Sequence, residues 1–301
     1  MKTDRRTFMK TGAIALAGTA VMSNSLFCVS RKKSITGIQL YSIRDEMTAD
    51  PRGSLAQLAE IGYTNVEHAN YIDRKFYDYP ATEFKKVLSD LGLKMISGHT
   101  VMERQHWDEA RKDFSDSWKF TIDDAAFMGQ KYVISPWMDE SMRKSYDDFR
   151  QYMDIYNKCG ELCRKNGMKF GYHNHDFEFS EKLNGERLFD IMMRSIDPEL
   201  VVVQVDIGNL YGGGAVAADV VNQYPGRFEN VHVKDVMKTG SDGQFESTIL
   251  GEGVADVRKV LELLKKTGSG QVLIIEQEAY QGKTPFECVK KDLEIMKDWG
   301  Y

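Results

Sequence analysis

The chain has 301 residues, 42% hydrophobic and 28% charged, which is enough to bury one large core; six prolines and no low-complexity tract leave no linker at which to divide it. A net charge of −5 with no basic cluster argues against a nucleic-acid partner and toward a small molecule. The four cysteines, at 28, 159, 163 and 288, have no zinc-site spacing, so they read as small buried side chains and no disulfide is assigned.

Residues 1–33 read as a targeting tail. Arg5 and Arg6 are followed by Phe8 and by a weakly apolar, Gly/Ala-rich run over 11–22, which resembles a twin-arginine export signal and is too short to span a bilayer. The expectation is therefore an exported, periplasmic protein without a stable membrane span. Cys28 is a candidate lipid anchor, although Phe27 stands where a small residue precedes a lipidated cysteine.

From 34 to 301 the pattern repeats: an apolar strand, a polar connection, an amphipathic helix, then a Gly turn before the next strand. Strands are predicted at 36–41, 65–67, 94–98, 132–135, 169–172, 200–205, 230–233 and 271–275. Eight apolar strands alternating with helices imply a closed parallel sheet, a (β/α)8 TIM barrel in a single domain. Nothing in this pattern fixes an oligomeric state.

Sites in such barrels lie at the C-terminal ends of the strands. Five of the six histidines fall at or just after predicted strand ends, only His106 lying elsewhere. Ionisable groups also end the later strands, with Asp206, His232 and Glu276 following or closing apolar runs, and His173, His175 and Glu178 clustering after the fifth. Four successive strands with such endings predict a metal site at the barrel mouth. Mixed imidazole and carboxylate donors suit Mn²⁺, Zn²⁺, Co²⁺ or Fe²⁺ better than Ca²⁺.

Several motifs carry a family resemblance. They are Tyr-His-Asn-His-Asp-Phe-Glu-Phe (172–179), Val-Asp-Ile-Gly-Asn (205–209), Val-His-Val-Lys-Asp (231–235), Leu-Gly-Glu-Gly (250–253) and Ile-Ile-Glu-Gln (274–277). Together they resemble the xylose isomerase-like TIM-barrel superfamily, in particular its sugar phosphate isomerase/epimerase family, over about 34–299. The resemblance implies one divalent ion held by Glu, Asp, His and Glu from strands five to eight. Asp206, His232 and Glu276 match the last three. The first departs from the pattern: His173 is the expected replacement, with Glu178 and His175 as alternatives.

The resemblance further implies carbohydrate chemistry through an enediolate, with a base on each face of the substrate. Glu276 is one candidate, and Glu178, His175 or Lys234 the other. Gln39, Tyr41, His99, Trp137 and Asn209 are expected to touch substrate, Tyr211 being a further aromatic near the mouth. Export favours an unphosphorylated keto-sugar or oxidised glycoside, with isomerisation or epimerisation as the first reading. Elimination from a 3-keto-glycoside is the second, and a non-catalytic sugar-binding barrel the third. A nuclease is disfavoured by the acidic composition. Gly212–Gly214 reads as a lid or turn, and 250–253 as a turn presenting backbone N–H groups near the site.

Overall fold

The computed structural model describes residues 34–240 and 244–301. The twin-arginine motif and Cys28 lie outside the described residues. Eight parallel strands form a closed barrel: β1 (Ile35–Gln39), β2 (Asn65–His68), β3 (Lys94–His99), β4 (Tyr132–Ser135), β5 (Lys169–His173), β6 (Val201–Asp206), β7 (Asn230–Val233) and β8 (Val272–Ile275). Closure is direct, since β1 pairs with β2 on one edge and with β8 on the other.

The outer ring comprises α1 (Pro51–Ile61), α2 (Ala81–Asp90), α3 (Asp116–Met128), α4 (Tyr146–Lys165), α5 (Leu188–Ser195), α6 (Ala217–Gln223), α7 (Val257–Thr267) and α8 (Pro285–Asp298). Their ends follow local chemistry. Asp50 accepts the Gly53 N–H at 3.0 Å ahead of Pro51, and α1 stops at Gly62 with φ +109°. Thr284 and Glu287 form a reciprocal cap on α8.

Side-chain alternation along the strands separates two cores. Val203, Val205, Val231, Val233, Leu273 and Ile275 belong to the large cluster between barrel and helices, whereas Ile96, Tyr132, Ile134, Val202, Val272 and Ile274 form a small plug inside the barrel. Inward residues recur every second position, so Val202 leads to Gln204 and Asp206, Asn230 to His232, and Val272 and Ile274 to Glu276. On β5 the inward partner of His173 is Gly171. A Cβ there would lie 2.5 Å from Ile134 and 2.7 Å from Val202, so only glycine lets the plug close.

Above the plug the barrel interior turns polar. The loop after β2 is a three-stranded meander, Tyr71–Ile72, Lys75–Phe76 and Tyr79–Pro80, and the one after β7 a hairpin, Asp235–Thr239 with Gln244–Thr248. Cys159, Cys163 and Cys288 are buried free thiols. None of the described helices is long and apolar enough to cross a membrane.

Candidate metal centre and cleft

The inward parity of β5 to β8 brings four donors together. His173, Asp206, His232 and Glu276 each offer a ligand atom within 4.8 Å of the others, although they are spread over more than a hundred residues of chain. His232 Nδ1 lies 3.0 Å from Glu276 Oε2 and 3.9 Å from Asp206 Oδ2, and His173 Nε2 lies 3.9 Å from the same Asp206 oxygen. All four are buried. Asp206 Oδ1 accepts the backbone N–H groups of Gly208 and Asn209, while Oδ2 meets no donor in hydrogen-bonding geometry. Two imidazoles and two carboxylates around one point, one oxygen left without a hydrogen bond, fit a divalent ion of the borderline class.

The imidazoles are aimed by groups on other strands. Glu67 Oε1 lies 2.6 Å from His232 Nε2, leaving Nδ1 for the centre; Gln204 Oε1 lies 3.1 Å from His173 Nδ1, leaving Nε2. Glu67 is in turn held by Gln39 Nε2 and Gln204 Nε2, each at 2.8 Å, and by the Ser97 hydroxyl. Burial opposes its ionisation, but His99 and His232 outweigh burial and hold the carboxyl well below its usual range. Burial likewise opposes charge on His232, yet Glu276 and Glu67 on its two nitrogens raise it to about 10. Glu67 and Gln204 have no place in the expected site, although their inward parity with Gln39 and Asp206 was there to be read.

Lys234 is the remaining cation. Its Nζ lies 3.2 Å from Asp206 Oδ2, 2.9 Å from Glu276 Oε2 and 3.0 Å from Asn209 Oδ1, and contacts the Glu278 carboxylate. Burial disfavours the ammonium, but Asp206, Glu276 and Glu278 together hold its pKa well above the ordinary lysine value. Held by three carboxylates, Lys234 is placed as an ammonium and hydrogen-bond donor more readily than as the expected base. Burial raises the Asp206 carboxyl and the neighbouring Glu276 carboxylate adds to it, with Lys234 and His232 opposing. A divalent ion would ease that strain further.

Two clefts meet over this cluster. One, of about 900 Å³, is lined by Tyr41, His99, Trp137, His173, His175, Asn209, Glu276 and Glu278 and extends over the meander. The other, of about 610 Å³, shares His175, Asn209 and Glu278 and adds Lys234 and the hairpin after β7. His175 thus stands at their junction, edge-on to Trp137 at 5.2 Å. Burial and Lys234 push its imidazole down to about 4, so it is neutral near pH 7. Asn209 lies 3.3 Å from His173 Nε2.

Three expected contacts are absent. Glu178 faces away: it follows outward-pointing Tyr172, accepts that residue's hydroxyl and the His175 N–H at 2.8 Å, and is 1% exposed, with burial raising its carboxyl to about 7. Gln39 is wholly buried on Glu67, so it cannot touch a substrate. Tyr211 stands against Phe245, outside both clefts. Gly212–Gly214 is a tight turn, its three N–H groups bonding the carbonyls of Asn209, Leu210 and Tyr211 at 3.2, 3.1 and 3.0 Å, and it packs so closely that a Cβ on Gly213 would lie 2.1 Å from the Asp176 carbonyl oxygen. The N–H groups of Gly251 and Gly253 bond Asp235 Oδ2 at 2.8 and 3.1 Å, and that of Ala255 bonds Oδ1 at 3.1 Å. That loop's amides are thus taken by a carboxylate of the chain itself.

A (β/α)8 barrel with a two-histidine, two-carboxylate centre at the strand ends defines a class of metal-binding α/β barrels. Within it, the chain belongs to the xylose isomerase-like TIM barrel family, whose model matches residues 55–299. A curated relative from Geobacillus thermodenitrificans, inosose dehydratase, is 23% identical over 275 residues, 81% of this chain and 88% of the relative. A crystal structure of a sugar phosphate isomerase/epimerase from Parabacteroides distasonis is 25% identical with a TM-score of 0.73, covering 88% of this chain and 98% of that one. The fold is also that of the IOLI protein, solved with a zinc atom, at TM-score 0.66 and 12% identity, covering 88% and 97%.

Proposed function

We propose that the chain is a metal-dependent lyase acting on a ketone-bearing sugar or cyclic polyol. It removes the proton from the carbon beside the ketone and expels the hydroxyl or glycosidic oxygen one carbon further on. The observation that carries the reading is the meeting of His173, Asp206, His232 and Glu276 where two clefts join, with the neutral His175 imidazole shared by both and the Lys234 ammonium lining the second.

A divalent ion on these four donors would supply Lewis-acid stabilisation of the enediolate. The chain's own groups do the rest. His175, neutral and at the junction of the clefts, accepts the α-proton. With Asp206 and Glu276 turned to an ion, Lys234 Nζ would keep Glu278 and Asn209 as partners and have an N–H free to donate to the oxygen on which negative charge grows. The C–H electron pair becomes the new C=C bond, the C–O bond breaks, and His175 returns its proton to the departing oxygen.

Elimination and proton return share every step up to the enediolate. The inosose dehydratase relatives, aligned over 81% of this chain, support elimination over the isomerisation or epimerisation that the family resemblance put first. An unphosphorylated substrate is supported by Asp235, which occupies the loop amides a phosphate would need. The export-like motif supports a substrate met outside the cytoplasm under the same proposal.

Protein loaded with Mn²⁺ or Zn²⁺ and incubated with an inosose or a 3-keto-glycoside in deuterated water tests the reading by NMR. Loss of water or of the aglycone with formation of an unsaturated ketone is expected. A rearranged sugar that carries solvent deuterium and keeps its substituents would replace the lyase with an epimerase or isomerase. A purified protein without bound divalent ion, whose melting does not respond to Mn²⁺ or Zn²⁺, would leave only a sugar-binding barrel.

A further inference from the structure

The larger cleft is bigger than the chemistry requires. Its volume of about 900 Å³ lies near the top of the roughly 300–1,000 Å³ range of ligand pockets, several times what one six-membered ring fills. The excess lies over the meander after β2 and the first turns of α3, away from the four metal donors.

The surface of this cleft is unusual for the molecule, and Ile72 and Phe120 carry the feature into the wing. Seven large hydrophobic side chains are exposed among the described residues, and four of them, Tyr41, Ile72, Phe120 and Trp137, line this one cleft, at 43%, 64%, 43% and 44% exposure. Apolar groups left in water singly need no explanation, whereas four around one concavity mark a binding surface.

The wing is also braced by its own side chains. Asp73 and Arg74 form the two-residue turn of the meander's first hairpin with φ of +49° and +64°, a backbone conformation that glycine or asparagine normally takes. The strained turn presents Arg74 into the cleft, where Asp124 fixes its guanidinium through Oδ1 at 2.7 Å and Oδ2 at 3.0 Å. Tyr71 donates to the same carboxylate at 2.6 Å. Arg74 also lies 4.5 Å over the Phe120 ring, so the aromatic face is held in place. Its charge is matched by Asp124, and Asp73 and Glu103 add negative charge to the lining. Nothing in the wing favours an anionic group.

We infer that this wing is a subsite for a neutral second ring, the aglycone of a glycoside whose oxidised sugar sits over the metal centre. The inference rests on the lyase reading for the identity of the first ring and adds that the leaving group is a ring alcohol, a second pyranose or a phenol, and not water. Phe120 and Ile72 supply the apolar faces against which that ring packs.

Titrations of the Mn²⁺-loaded protein, read by tryptophan fluorescence and calorimetry, test it with methyl β-glucoside, phenyl β-glucoside and cellobiose as probes. At least one two-ring probe is expected to bind roughly tenfold more tightly than the methyl glycoside. Phe120→Ala and Ile72→Ala should each cost the preferred probe roughly three- to tenfold and leave the methyl glycoside unchanged. Both side chains are exposed, so melting temperature serves as the check on folding. The phenyl and cellobiose arms distinguish an aromatic from a sugar occupant.

Equal affinities for one- and two-ring probes, no binding of any probe, or a loss in the variants that is the same for all probes would overturn the subsite. Turnover of the corresponding 3-keto-glycosides separates the two proposals. Tighter two-ring binding with no released aglycone keeps the subsite and removes the lyase. Equal kcat/KM for one- and two-ring ketones keeps the lyase and removes the subsite.

Discussion

Both halves of the barrel mouth bury polar groups, yet they differ in what those groups face. Strands β5 to β8 deliver His173, Asp206, His232 and Glu276 around one point. Strands β1 to β3 deliver Gln39, Glu67 and Ser97, which bond one another and line neither cleft. Glu67 reaches across the barrel to His232, and Gln204 of β6 ties the halves by bonding Glu67 and lying against His173. One half offers donors and the other aims them. Burial of an ionisable group therefore does not by itself mark a reacting group; the direction of its free lone pair does.

The comparison breaks most decisively at a donor. Asp206→Ala is expected to abolish stoichiometric metal binding, measured by elemental analysis, and to lower kcat/KM by on the order of a thousandfold or more. Chelation of the wild-type protein should match that loss and be reversed by adding the ion back. A variant that retains both metal and rate would show that the four side chains do not act as one centre.

Lys234→Met removes the fixed ammonium without removing a donor. A fall in kcat of roughly a hundredfold is expected, with metal affinity kept or increased because Asp206 and Glu276 lose their competing cation. Loss of metal together with rate would instead make Lys234 a structural counter-charge.

Glu67→Gln sharpens the distinction between offering and aiming. Metal affinity or kcat should drop by roughly 10- to 100-fold, less than at Asp206, since the amide can still bond His232 but no longer carries the charge. A loss as large as that at Asp206 would erase the difference between the halves.

Asp292 on α8 is the smallest effect and the control, a carboxyl as buried as Glu67 but outside both clefts. Its Oδ1 accepts the Leu250 N–H at 2.9 Å while Oδ2 has no hydrogen-bond partner, and burial raises the group from 3.8 to about 7. Because the folded pKa is raised, the folded state binds the proton more tightly than the unfolded chain. The stabilisation is complete below about 3.8 and is lost as pH rises through about 7. Denaturant unfolding should find Asp292→Asn more stable than wild type at pH 8 by roughly 1–3 kcal/mol, with the advantage smaller at pH 5, gone below about pH 3.8 and kcat unchanged. A pH-independent difference would mean that Asp292 does not titrate in this range.

Much of this architecture was legible from periodicity. The fourth and seventh strands have the predicted limits, and the other six differ by no more than two residues at either end, because apolar runs bounded by glycine turns report local backbone preference. Asp206, His232 and Glu276 were legible as strand endings for the same reason. Gln204, set in an otherwise valine-rich strand, carried a signal in its parity with Asp206 that strand endings alone do not use. Glu178 was misplaced because its spacing from His175 shows nearness and not direction; Tyr172, which points outward between inward-facing Gly171 and His173, draws it out of the mouth.

What the chain determines by itself is the alternation: which stretches become strands, where each stops, and which residues of a strand share a face. That follows from backbone geometry and side-chain period, both local. Which inward groups become partners was decided only when the barrel closed, since Glu67 and His232 are 165 residues apart in the chain and 2.6 Å apart in space. The same closure set Lys234 against three carboxylates and Arg74 over Phe120, and with them the charge state of the site and the shape of its cleft.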